Sequence, residues 1–189
     1  MNTPYSIIIP DSSPLITLAA ADALDLLLKP KIPVMVPDGV HWETVRFPTK
    51  LGAADIVAWL QRSSSAVRIE ATQEYANAQI LIEAGQKRVR GLGERCALEV
   101  VNLQARKNPN GKSIMLYEDS DVLGMRIIKP ERVDTMTTAD FLFALEEAQL
   151  IQSADHILDR AVDAGRDKGV RNRSQSTAAA FASSQGQEY

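Results

Sequence analysis

The sequence predicts an α/β fold with three layers, α/β/α, around a central, mostly parallel sheet of four to five strands. Three observations predict it. Short apolar, β-branched runs alternate with longer stretches of helical periodicity. The runs, such as Ile7-Ile8-Ile9, are apolar throughout, as in strands covered on both faces. Polar or Pro-containing turns close them.

The first strand is predicted over Ser6 to Ile9, with Asp11 just beyond its C-terminal end. Ser12-Ser13-Pro14 then reads as a polar cap with Pro in the first helical turn, opening a helix over Leu15 to Leu28 that stops before Lys29-Pro30. Ile32 to Val36 is the second strand, and Asp38 can cap a helix through Val40, Trp42, Glu43 and Val45. Ile56, Val57, Trp59 and Leu60 share helical spacing within Lys50 to Arg62, and Val67-Arg68-Ile69 is strand-like. Thr72 to Val89 reads as helix.

Gly91-Leu92-Gly93 interrupts that pattern as a helix-entry turn, and Glu94 opens a helix with Cys96, Ala97, Leu98, Val100, Val101 and Leu103 on its apolar side. The turn signal Asn108-Pro109-Asn110-Gly111 precedes a strand over Ser113 to Tyr117, which delivers Glu118-Asp119-Ser120-Asp121 at its end. A last strand is expected over Val133 to Met136. Thr137-Thr138 then caps a helix over Ala139 to Gln149, and Ser153 caps another reaching about Arg166. From residue 171 the chain turns to Ser, Gln, Ala and Gly, so the domain is expected over 1–170 and a disordered polar tail over 171–189.

Composition narrows the function classes. At 189 residues the chain suits one domain with a two-sided core, and no apolar run is long enough to span a bilayer. The run Ile7-Ile8-Ile9 is stopped by Pro10 and Asp11 before it could serve as a signal peptide, so the expected location is cytoplasmic. One cysteine, Cys96, excludes an intramolecular disulfide, and with His41 and His156 the only histidines a structural zinc site is excluded too. A bound metal would be held by oxygen. The formal charge of −3 argues against binding nucleic acid through a global positive field. Local basic groups remain, with Lys87, Arg88, Arg90 and Arg95 around Glu94, and Arg166, Lys168, Arg171 and Arg173 further on.

The acidic residues carry the functional expectation. Ligands of open α/β sheets bind beyond the carboxyl ends of the strands, where Asp11 and the Asp119/Asp121 pair are expected. Glu43, about one turn into the second helix, and Glu94, at the start of another, can reach the same rim. Two such charges about 4 Å apart repel by roughly 4 kcal/mol at an effective dielectric near 20, which a divalent cation or protonation must relieve. Carboxylates suit Mg²⁺ or Mn²⁺, and such ions promote phosphodiester hydrolysis.

These segments also resemble a known family. Ile7-Ile8-Ile9-Pro10-Asp11-Ser12-Ser13-Pro14-Leu15-Ile16 is similar to the opening of PIN domains, and Val36-Pro37-Asp38-Gly39-Val40-His41-Trp42-Glu43-Thr44-Val45 to the segment with their conserved glutamate. Gly91-Leu92-Gly93-Glu94-Arg95-Cys96-Ala97-Leu98 resembles the helix start with the third acid, and Leu116-Tyr117-Glu118-Asp119-Ser120-Asp121 the strand-four motif. Thr137 to Ile151 resembles the closing Thr-rich turn and helix. The resemblance covers about residues 5–152 and points to the VapC-like ribonucleases.

It implies a Mg²⁺- or Mn²⁺-dependent endoribonuclease with Asp11, Glu43, Glu94, Asp119 and Asp121 as catalytic acids, and all of these but Glu43 as metal ligands. Asp119 and Asp121 share the fourth place. Ser12, Ser13, Lys87, Arg88, Arg90 and Arg95 are the expected substrate contacts. It further implies a toxin of a toxin-antitoxin pair, with RNA as substrate, a cognate antitoxin as partner and a homodimer. The alternative is a PIN-like binding module without catalysis. His41 is expected to be a surface or packing histidine, and Cys96 a buried packing residue.

Overall fold

The computed structural model describes residues 5–86, 89–118, 130–174 and 178–185. It is a three-layer α/β/α fold around a five-stranded, all-parallel sheet in the order β3-β2-β1-β4-β5. The strands are β1 (Tyr5–Pro10), β2 (Val34–Pro37), β3 (Val67–Glu70), β4 (Lys112–Tyr117) and β5 (Val133–Thr137). The helices are α1 (Ser12–Ala20), α2 (Asp38–Val45), α3 (Ala53–Arg62), α4 (Gln73–Glu83), α5 (Leu92–Lys107), α6 (Thr138–Glu147), α7 (Ala154–Asp163) and α8 (Ala178–Gln185).

The unbroken apolar runs are explained by the two faces of the sheet. Ile8, Val34, Val36, Ile114, Leu116 and Met136 point into the larger core with α1, α3, α6 and α7. Their sequence neighbours Ile7, Ile9, Met35, Met115 and Tyr117 point the other way, onto Ala97, Val100 and Val101 of α5. A third cluster, Ala78, Leu92 and Cys96 with Trp42 and Tyr75, joins α4 and α2 to α5. Gly39 makes the α2–α5 approach possible, because a β-carbon there would collide with Cys96 Sγ.

The helix expected over Thr72 to Val89 ends at Glu83, ahead of Gly85 at φ 94°, and the structure departs from the sequence reading in three further places. The helix expected over Leu15 to Leu28 ends at Ala20, and a separate 3₁₀ turn covers Leu24–Leu28, because Asp22 takes a left-handed conformation at φ 49°. Asp38 does not cap α2, whose N-cap is Pro37; its carboxylate accepts from Thr72 N–H at 2.9 Å and Thr72 Oγ1 at 2.6 Å, tying α2 to the start of α4.

The third concerns residues 171–189, where composition suggested a tail; the described part holds α8, with Phe181 fully buried. Its ring lies 5.6 Å from Tyr5 and 5.8 Å from Phe141. One aromatic side chain in a polar, Ala-rich segment is enough to dock it. Among the described residues no helix is long and apolar enough to cross a membrane.

Candidate functional site

The strand order reverses direction between β1 and β4. Two carboxylates stand at this switch point, Asp11 immediately after β1 and Glu118 immediately after β4. The two tips are joined by the Asp11 N–H, which donates to the Leu116 carbonyl at 2.9 Å.

Asp11 is the N-cap of α1, yet its side chain makes no capping bond. It is only 5% exposed, and its Oδ1 has no hydrogen-bond partner among the described residues. Burial pushes its carboxyl up to about 7 from the ordinary 3.8. The charges of Glu94, Glu43 and Glu118 push in the same direction, against a backbone hydrogen bond from Ser12.

Glu43 arrives from α2. Its Oε2 accepts from Ser12 Oγ at 2.9 Å, and the Gly93 N–H also donates to the carboxylate. Burial raises its pKa, the two hydrogen bonds oppose that, and Glu94 adds to the rise.

Gly93, in the first turn of α5, shows how closely these groups meet. A β-carbon there would lie 2.5 Å from Glu43 Oε2, 3.0 Å from Ser12 Oγ and 3.2 Å from Asp11 Oδ1. The three oxygens thus crowd against the backbone of Gly93, where no side chain would fit. Gly91, the left-handed N-cap at φ 62°, starts the helix so that Gly93 and the half-buried Glu94 face this rim. Asp11 and Glu43, the latter held by Ser12, are the oxygens that a cation on this rim would use.

Glu118 went unrecognised in the sequence, where it was read only as part of an acidic run. Both of its oxygens are engaged: Thr138 Oγ1 donates to Oε1 at 2.6 Å and Arg166 to Oε2 at 2.7 Å. Arg166 also donates to Thr17 Oγ1 at 2.8 Å. Neither partner has a local sequence signal.

Asp140 is a second unpredicted carboxylate. It forms a capping box with Thr137 at the start of α6 and accepts from Ser174 N–H at 2.7 Å and Ser174 Oγ at 2.8 Å. Burial alone would raise its pKa, but the bonds from Ser174 and Thr137 outweigh this and lower it.

The other expected site residues divide. Asp119, Asp121, Lys87 and Arg88 lie outside the described residues. Arg95 is fastened by Glu74 at 2.9 Å and by the Arg90 carbonyl at 2.6 Å, so its guanidinium braces α5 against α4. Arg90 is exposed, and Ser13 lines a cleft beside Glu118. His41 is half-buried, with a pKa lowered by burial and partly restored by Asp38. Cys96 is fully buried, as expected of a packing residue.

Among the described residues no three carboxylate, imidazole or thiol groups form a metal shell by themselves. Comparison with protein-family models, with curated proteins and with solved structures returned no match.

Proposed function

We propose that the chain is a Mg²⁺- or Mn²⁺-dependent endoribonuclease of the PIN-like kind, with its centre at Asp11, Glu43 and Glu94. The observation that carries this reading is the meeting of Asp11 Oδ1, Glu43 Oε2 and Ser12 Oγ against the backbone of Gly93. The donor set fits a hard divalent cation, being oxygen only. The orphaned, buried Asp11 Oδ1 fits it too, since a buried polar atom without a partner is costly to keep. Asp119 or Asp121 completes the set in this reading.

When bound, such a cation supplies charge stabilisation on the scissile phosphate and makes water a better nucleophile. The chain's own residues prepare the site. Asp11, once ionised, would hold the cation, while Ser12 holds Glu43 Oε2 in place and the Gly93 N–H fixes the same carboxylate. Arg166 and Thr138 hold Glu118 in two hydrogen bonds, which fixes the position of this carboxylate near Asp11 and offsets its charge. In the hydrolysis this site would serve, a P–O bond forms to water as the P–O bond to the leaving oxygen breaks on the opposite side, and the proton that water loses ends on that oxygen.

Purified protein should cleave end-labelled single-stranded RNA with Mn²⁺, stop in EDTA, and lose activity on Asp11→Asn. Cleavage that persists in EDTA or in that variant overturns the mechanism. A toxin role, a cognate antitoxin and a homodimer belong to the same reading; light scattering of the purified chain and co-purification with the product of a neighbouring gene test them.

A second reading, a binding module without catalysis, is favoured by the Glu118–Arg166 pair, which neutralises one acid of the rim. RNA binding without Mn²⁺-dependent cleavage would select it.

A further inference from the structure

A cleft of about 470 Å³ lies between the tips of β4 and β5 and the segment that follows α7, lined by Ser13, Glu118, Thr137, Arg166, Asn172 and Arg173 among others. Glu118 belongs both to its wall and to the electrostatic surroundings of Asp11, so the cleft adjoins the acidic centre.

Its polar groups fall into two sets. The carboxylates are engaged: Glu118 with Arg166 and Thr138, Asp140 behind the wall with Ser174 and Thr137, and Asp167 with the Gly169 N–H at 2.7 Å. Several donors are not. Among the described residues the terminal guanidinium nitrogens of Arg173, the Asn172 amide and the Ser13 hydroxyl make no hydrogen bond.

Arg173 touches Asp140 only through Nε, at 3.4 Å, and its side chain is 53% exposed. Its guanidinium lies 4.4 Å over the Phe143 ring, which holds its plane while its outer nitrogens stay available. A planar fork in a cleft whose lining also carries an amide and a hydroxyl suits the oxygens of a phosphate. Stacking of a base is poorly served, because the aromatic residue in the lining, Tyr117, is buried.

We propose that this cleft is a phosphate subsite for single-stranded RNA, in which Arg173, Asn172 and Ser13 hold a backbone phosphate next to the scissile one. The inference rests on the ribonuclease reading for the identity of the strand. It explains how a chain of net charge −3 holds an anionic substrate against its own carboxylates, by one local contact instead of a global field.

The test is fluorescence anisotropy of an end-labelled, single-stranded RNA in EDTA, repeated over a series of KCl concentrations. Wild type should bind with an affinity that falls as salt rises. Arg173→Ala should weaken binding and make the slope of log K against log salt shallower by about 0.7, the share of one phosphate contact on a single strand. Arg173→Lys should keep the slope, and Asn172→Ala should weaken binding at unchanged slope.

Melting curves of the variants check that α6 and the following segment stay folded. An Arg173→Ala protein with wild-type affinity and slope overturns the subsite, as does wild type that binds no RNA. Arg173-dependent binding without cleavage in Mn²⁺ supports the subsite and refutes the hydrolysis. Cleavage with an unaltered salt slope does the reverse.

Discussion

Asp11→Asn should make the protein more stable at alkaline pH. The Asp11 carboxyl has its pKa raised by burial from 3.8 to about 7. As pH rises from about 4 to 7 the unfolded chain gives up this proton while the folded chain keeps it, so stability falls across that window. Below about pH 4 both states are protonated and nothing is lost. Above about 7 the whole penalty is present, about 4 kcal/mol at about 1.4 kcal/mol per pH unit. For a domain of this size about 2–4 °C of melting temperature accompanies each kcal/mol, so the penalty is roughly 10 °C. Asn has nearly the same shape, keeps an oxygen for the Ser12 backbone bond and carries no charge. The assay is thermal melting of wild type and variant in EDTA at about pH 5 and about pH 8, with the difference between the two proteins isolating Asp11 from other titrating groups. The variant should gain on wild type by several degrees from the lower to the higher pH. A difference that stays constant between the two would refute the reasoning, because it would mean that Asp11 ionises in the folded protein as it does in water.

Other outcomes follow from the packing. Gly93→Ala places a methyl group 2.5 Å from Glu43 Oε2. The gain in helix propensity is about 1 kcal/mol and the carboxylate can swing away, so melting should change little while calorimetry shows Mn²⁺ affinity lost. Phe181→Ala should cost about 3–5 kcal/mol in urea unfolding, since the ring is fully buried against Tyr5 and Phe141; a loss below about 1 kcal/mol would mean that α8 is not docked. Burial pushes the Cys96 thiol up to about 11, so a colorimetric thiol reagent should leave native protein untouched at neutral pH and modify it in guanidinium.

Strands β1, β2 and β4 were legible because burial on both faces leaves unbroken apolar runs, whereas β3, with only Val67 buried, and β5 rest on short mixed segments; all five lie within two residues of expectation. The break after α1 was not legible. Ala21-Asp22-Ala23 contains neither Gly nor Pro, yet Asp22 is left-handed and the chain beyond it buries Leu24 and Leu27. In the candidate site, the closeness of Asp11 and Glu43 was legible from a strand tip and a place one turn into the next helix, and Glu94 was placed in the first turn of α5. The role of Gly93 was not, because a helix-entry glycine looks the same whether or not a carboxylate needs its space. Arg166 could not be found from the sequence either, since its partners Thr17 and Glu118 lie far away along the chain and meet it only after folding.

Calorimetric titration of Mn²⁺ into wild type and Asp11→Asn at about pH 8 tests the central claim most directly. The claim requires that the oxygens around Gly93 form one cation site. Wild type should bind Mn²⁺ and the variant should not. Equal binding by both proteins, or binding by neither, would contradict it.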